Sequence, residues 1–375
     1  MSHQHQIVDS HIHLFPKSHL KTFTWYTETS PLANQHSINE YRTALTTPNG
    51  TNPGVRGFIF LETDRLSSIQ PSTTPGWTHA LDEVSYLARI ALGTPIQGEG
   101  HKPADKELCL GIVPWAPVPG GRELLREYMG LAKERAGDAF GKVCGVRYLV
   151  QDKEPGTMTM DGFVDGLRWL GEEGFVFDLG VDARSGGLGQ LKEAVEMLRG
   201  VYAGLDKGKG VTIVISMFFG PGICDGFVVG GFFADVTTDH LCKPNLRLGG
   251  GDVSKHHEFV EWRELVVQMA GYPKTYMKLS GAFSELLPLE GEDCDISGIV
   301  DCLQPWTDVV FDAFGAGRVM FGSDWPVCNV GGGGNEVSWG RWRRVVEEVL
   351  IRRGLSEEEK KGIWGDVALK AYGIP

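Results

Sequence analysis

Eight short apolar runs, most of them followed by a stretch with helical spacing, leave this chain little choice of architecture. The runs are 7–15, 55–62, 107–114, 142–149, 174–180, 211–215, 276–281 and 318–326, each short enough to be a strand buried on both faces. Between them apolar residues recur at three- and four-residue intervals: Leu81, Val84, Leu87 and Ala88 within 80–91, then Leu191, Val195 and Leu198, then Phe259, Trp262, Val266 and Met269 within 258–270. Helices are predicted likewise over 123–136, 163–170, 306–314 and 342–352. Alternation of strand and helix with no repeated sequence unit predicts a parallel sheet, and eight strands close it into a (β/α)8 barrel. At 375 residues the chain reads as one barrel domain over 1–375, with 63–106 a long loop carrying a helix and 217–238 an insertion near strand six.

In a barrel of this kind the working side chains stand at the C-terminal ends of the strands. The first strand ends in His11-Ile12-His13, and residues i and i+2 of a strand point to the same side, so the two imidazoles are presented together. His3 and His5 form a second pair of this spacing, but they lie in a terminal tail with no apolar strand before them. At the far end of the chain Gly322-Ser323-Asp324-Trp325-Pro326 delivers a carboxylate from the eighth strand. The same rule collects Arg147, Asp178, His240 and Lys278. Two or three imidazoles with one carboxylate suit a single zinc-like ion, whose open position polarises a carbonyl and acidifies water. The same groups also serve without metal, if Asp324 acts as general base on water and the histidines hydrogen-bond the developing oxyanion. The residues alone leave both open.

Five segments together resemble the amidohydrolase superfamily: Asp9-Ser10-His11-Ile12-His13, Gly145-Val146-Arg147, Asp239-His240-Leu241-Cys242-Lys243-Pro244, Lys278-Leu279-Ser280-Gly281 and Gly322-Ser323-Asp324-Trp325-Pro326-Val327. They span nearly the whole chain, in the order found in the branch that includes the fungal L-rhamnono-gamma-lactonases, the L-fuconolactonases and 2-pyrone-4,6-dicarboxylate lactonase. The resemblance implies a hydrolase that opens a sugar-acid lactone, with His11, His13, His240 and Asp324 as the catalytic cluster and as the ligands of any metal. Binuclear members carry a bridging Lys or Glu on strand four and a histidine on strand five, where this chain has Arg147 and Asp178. At most one divalent metal, zinc or similar, is therefore expected, or none. Arg147, Lys278, Trp115 and Trp325 are the candidates for reading sugar hydroxyls. Two rivals share these features: a metal-dependent decarboxylase of a neighbouring branch, which would release carbon dioxide from an acidic aromatic substrate, and a non-catalytic barrel that binds a sugar acid.

Residues 217–238 interrupt the rhythm with Gly and Phe and no periodicity. Without them 211–216 would run directly into His240, so 211–215 and 234–239 compete for the sixth strand position. The segment reads either as a lid or as translated non-coding sequence, and a form lacking it is expected to melt no lower and turn over no slower than the full chain. Thermal melting and lactone hydrolysis on both forms test this.

A net charge of -12 and the lack of any basic stripe argue against nucleic acid or anionic membrane as partners, leaving a small molecule. The longest apolar stretch, 211–236, is broken by Gly, Pro and Asp, against a membrane span. The polar start of the chain has no signal-peptide pattern, and seven scattered cysteines without a Cys-x-x-Cys pair read as reduced thiols, which together point to the cytoplasm. Gly249–Gly251 and Gly331–Gly334 lack the Gly-Lys-Ser/Thr or Gly-x-Gly-x-x-Gly context of a phosphate cradle and read as loops.

Overall fold

The computed structural model describes residues 5–46, 54–181, 187–206, 208–217, 252–281, 283 and 295–375. Eight parallel strands form two arcs. The first holds β1 (Ile7–Ile12), β2 (Val55–Leu61) and β3 (Cys109–Val113). The second holds β4 (Gly145–Arg147), β5 (Val176–Leu179), β6 (Thr212–Met217), β7 (Thr275–Leu279) and β8 (Val319–Phe321). Backbone hydrogen bonds join the arcs at both seams. Between β3 and β4, Cys144 N–H donates to the Ile112 carbonyl (3.1 Å) and Arg147 N–H to that of Pro114 (2.9 Å). Between β8 and β1, Asp324 N–H donates to the His11 carbonyl and His13 N–H to that of Trp325, both at 2.8 Å. The ring is closed, and the barrel is of the (β/α)8 type expected.

Around it lie α1 (Ile38–Leu45), α2 (Thr78–Leu92), α3 (Gly121–Ala136), α4 (Asp161–Glu173), α5 (Gly187–Tyr202), α6 (His257–Ala270), α7 (Ile296–Phe314) and α8 (Ser338–Arg352). The short α9 (Glu357–Lys361) and α10 (Val367–Ala371) follow, joined by a π-turn over Gly362–Asp366. Strand alternation sorts the side chains as period two requires. Phe58, Phe60, Phe177, Ile213, Ile215 and Met277 face the helices, while Val8, Ile59, Leu61, Val113, Val176, Val214, Tyr276 and Met320 meet inside the barrel. Val367, Ala368, Ala371 and Tyr372 join that inner cluster and close the ring at the N-terminal ends of the strands. The far end is thereby the one left for a site.

Several boundaries differ from the sequence expectation. The stretch between β1 and β2, where no helix is predicted, holds α1, which starts where the Glu40 carboxylate accepts the Ser37 N–H (2.9 Å), a Ser-x-x-Glu box readable in the sequence. Strand three starts at Cys109, because Pro103–Leu108 is a 3-10 turn held by Asp105 on the Lys102 N–H (2.7 Å). Helix α7 runs through Pro305 rather than beginning after it. The sixth slot belongs to 212–217, with Val214 opposite Asp178 on one side and Tyr276 on the other. Met217, counted above with the insertion, ends β6 opposite Leu279. Residues 218–238, the competing segment 234–239 and His240 lie outside the described residues. Among the described residues Cys109, Cys144, Cys302 and Cys328 are free thiols. No helix among them is long and apolar enough to cross a membrane.

Candidate active site

The seam between β8 and β1 builds the site, and Asp9 holds the seam. Its carboxylate Oδ1 accepts the Ser323 N–H (2.8 Å), and Oδ2 accepts the Trp339 indole N–H (2.8 Å) and the Tyr41 hydroxyl (3.0 Å). Burial pushes the Asp9 carboxyl up, and these donors oppose the shift by favouring the charged form. Ser10 Oγ donates to the Phe321 carbonyl (2.6 Å) and the Trp342 indole N–H to that of Gly322 (2.8 Å). A side chain at Gly322 would set its Cβ 2.8 Å from that of His11, so only glycine lets the eighth strand come this close.

Asp324 follows with φ at 60°, in the left-handed region that Asp and Asn tolerate better than other side chains. Its N–H is spent on His11 and its carbonyl accepts the Cys328 N–H (3.0 Å), so the backbone aims the carboxylate inward. Oδ1 lies 3.4 Å from His11 Nε2 and 3.2 Å from His13 Nε2, and the two Nε2 atoms are 3.2 Å apart. His13 Nδ1 faces two acceptors, the Leu61 carbonyl at 3.0 Å and the Glu62 carbonyl at 2.9 Å. Nδ1 therefore carries the proton and Nε2 presents a lone pair to the centre. Burial, helped by the Arg147 charge, pushes this imidazole down to about 3, which keeps it neutral. Ligand atoms of His11, His13 and Asp324, all buried, lie within 4.8 Å of one another, the one such group of three among the described residues. Two imidazoles and a carboxylate converging on one point, with a backbone-fixed tautomer behind one of them, fit a zinc-like ion.

Beneath the cluster lies a layer of buried charges. Lys278 Nζ sits 2.6 Å from Asp178 Oδ2. The same carboxylate accepts the Ser216 hydroxyl (3.1 Å) and the Tyr372 hydroxyl (2.5 Å). Burial pushes Lys278 down to about 8 against the pull of Asp178. Arg147, whose side chain is fully buried, pairs with Glu62 (Nε to Oε1, 3.8 Å) rather than with Asp178. Burial pushes the Glu62 carboxyl up to about 8, against the pull of that guanidinium.

Of the other expected residues, Trp115 packs edge-on against Tyr128. Trp325 is fully buried, with its indole N–H on Asn335 (2.7 Å) and its ring against Tyr41 and His36. His5 stands apart from the cluster, 3.2 Å from Glu357, and His3 is outside the described residues. Sequence reasoning passed over Glu62, although it closes the apolar run 55–62 at the tip of β2. It also passed over the anchoring role of Asp9 and the reach of Tyr372, for which no local signal exists.

The model of the amidohydrolase family matches residues 239–374. L-rhamnono-gamma-lactonase of Scheffersomyces stipitis is 31% identical over 373 residues, 99% of each chain. L-fucono-1,5-lactonase of Burkholderia multivorans is 35% identical over 138 residues, 36% of this chain and 42% of that protein. Among solved structures, an amidohydrolase from Burkholderia multivorans superposes with a TM-score of 0.65 in a form with bound HEPES, at 21% identity, covering 99% of this chain and 100% of that one. A second form of that protein, with bound zinc, gives 0.64 at the same identity and coverage.

Proposed function

The chain belongs to the amidohydrolase family, and on that footing we propose that it is a lactonase that opens a five-membered sugar-acid lactone, L-rhamnono-gamma-lactone or a close relative, to the free acid. The observation that carries this is the meeting of His11, His13 and Asp324 at the barrel seam, in a chain that matches an L-rhamnono-gamma-lactonase along 99% of its length.

Asp324 takes the proton of a water molecule on its carboxylate while the water oxygen attacks the lactone carbonyl carbon. As the tetrahedral adduct collapses, the bond between that carbon and the ring oxygen breaks, and Asp324 returns the proton to the leaving alkoxide. His13, whose Nδ1–H donates to two backbone carbonyls, offers a lone pair on Nε2 rather than a donor. That chemistry supports cation binding over direct oxyanion stabilisation by this residue. A divalent ion held by His11, His13 and Asp324 would supply Lewis acidity toward the carbonyl and lower the pKa of water. His240 is the fourth candidate ligand from the resemblance. Arg147 and Lys278, both buried and cationic, are the proposed partners of the substrate's oxygens, with Trp115 and Trp325 as the further candidates; Trp115 is bridged to Arg147 through the backbone.

A panel of aldonolactones assayed by acid release, with and without chelator, tests the reading; no turnover of any of them would overturn it. Elemental analysis of the purified protein is expected to find at most one tightly held divalent ion per chain, because Arg147 and Asp178 occupy the places where a second ion would need ligands. Two ions per chain would contradict the assignment.

A further inference from the structure

The rim beside the cluster carries a carboxyl group that the reaction above does not use. Glu62 directly follows β2 and is 1% exposed. Its carbonyl accepts the Nδ1–H of His13 at 2.9 Å, which ties the residue to the cluster. Its side chain turns toward the tip of β4, where Oε1 lies 3.8 Å from Arg147 Nε, an ion-pair distance too long for a hydrogen bond. Oε2 accepts the N–H of Asp64, whereas Oε1 accepts no hydrogen bond among the described residues. A buried carboxyl oxygen without a donor is costly, and such an atom is completed by a water, an ion or a ligand. Beside it stands a guanidinium, a pure donor, so acceptor and donor are offered together at one edge of the site. That pairing complements a hydroxyl and its neighbouring oxygen on a polyol ring. Its acceptor half finds no donor on a lactone without hydroxyls.

We propose that Glu62 is a substrate-reading residue, whose Oε1 accepts a hydrogen bond from a ring hydroxyl of the sugar lactone while Arg147 donates to an adjacent oxygen. The site thereby selects polyhydroxylated lactones over lactones without hydroxyls. This rests on the lactonase reading and names the substrate feature that the site recognises.

The test measures kcat/KM of the full chain and of its Glu62→Gln and Glu62→Ala variants on L-rhamnono-gamma-lactone and on γ-butyrolactone, which has no hydroxyls. The quantity read is the ratio of the two values. In Glu62→Ala that ratio is expected to fall about 10-fold to 100-fold, chiefly through KM on the sugar lactone, the usual cost of leaving a buried polar group without its partner. Glu62→Gln keeps size and one acceptor and is expected to fall less; if the alanine variant does not fold, any clear drop in the glutamine ratio decides for the proposal. Ratios within about twofold of wild type, with equal losses on both lactones, would show that Glu62 merely supports His13 and would overturn the assignment. A wild-type protein that opens neither lactone would instead overturn the lactonase reading, and the role of Glu62 with it.

Discussion

Asp324→Asn is expected to lower kcat on the best lactone by about 10²-fold to 10⁴-fold, the usual contribution of a general base, with the fold unchanged. An amide has no basic oxygen to take the proton of water and is a poorer ligand for a cation. Asparagine is the informative replacement because the position has φ at 60°, which few other side chains accept. The structural work of the residue is done by its backbone: its N–H on the His11 carbonyl at 2.8 Å and its carbonyl on the Cys328 N–H at 3.0 Å survive the change. The turn itself is held by Asp9 through Ser323, and that contact is untouched. Steady-state kinetics with a melting curve on the same preparation make the comparison. A variant with wild-type kcat would refute the mechanism, and one with lost activity and a much lowered melting point would assign Asp324 to the fold instead.

Asp178→Asn is expected to be the most destabilising single change inside the barrel, by about 3–5 kcal/mol, the typical cost of stripping one partner from a buried ion pair. Lys278 would be left as an ammonium with no opposite charge at 2.6 Å, and neither side chain has any exposure to water. The hydroxyls of Ser216 and Tyr372 would lose a charged acceptor as well. Lys278 is already pushed down to about 8 by burial, and the substitution removes the charge that holds it up. In the variant the folded state therefore releases the lysine proton at lower pH than wild type does, while the unfolded chain keeps it. The sign of this linkage makes the deficit narrow as pH rises toward about 8. Adding Lys278→Met removes the orphaned charge and is expected to recover much of the loss. Urea midpoints for the two single variants and the double form the test. A single variant within about 0.5 kcal/mol of wild type would show the pair to be energetically idle.

The barrel was legible because its strands are short, apolar and separated by helix-period segments, patterns that depend only on near neighbours along the chain. His11, His13 and Asp324 were legible for a related reason. A strand's end is visible locally, and the rule that barrels work at those ends converts three separate strand tips into one place. The contacts that make the place function were not visible in the same way. Asp9 and Ser323 are 314 residues apart, and Tyr372 meets Asp178 across 194. Glu62 was available by the strand-end rule, but Arg147, the charge it meets, stands on another strand and is not visible along the chain.

What the sequence determined by itself is the architecture and the chemical class of the central cluster, two imidazoles and a carboxylate brought to one end of the barrel. The tertiary structure alone decided the pairing inside the barrel. From the sequence Asp178 was as good a mate for Arg147 as for Lys278; in the fold Lys278 takes Asp178, and Arg147 faces Glu62. The tautomer of His13 was decided there too, since it follows from the two carbonyls that β2 places behind the ring. The reason is the stagger of a closed barrel: which charge reaches which, across strands distant in sequence, depends on the register in which the ring closes, and that register is a property of all eight strands together.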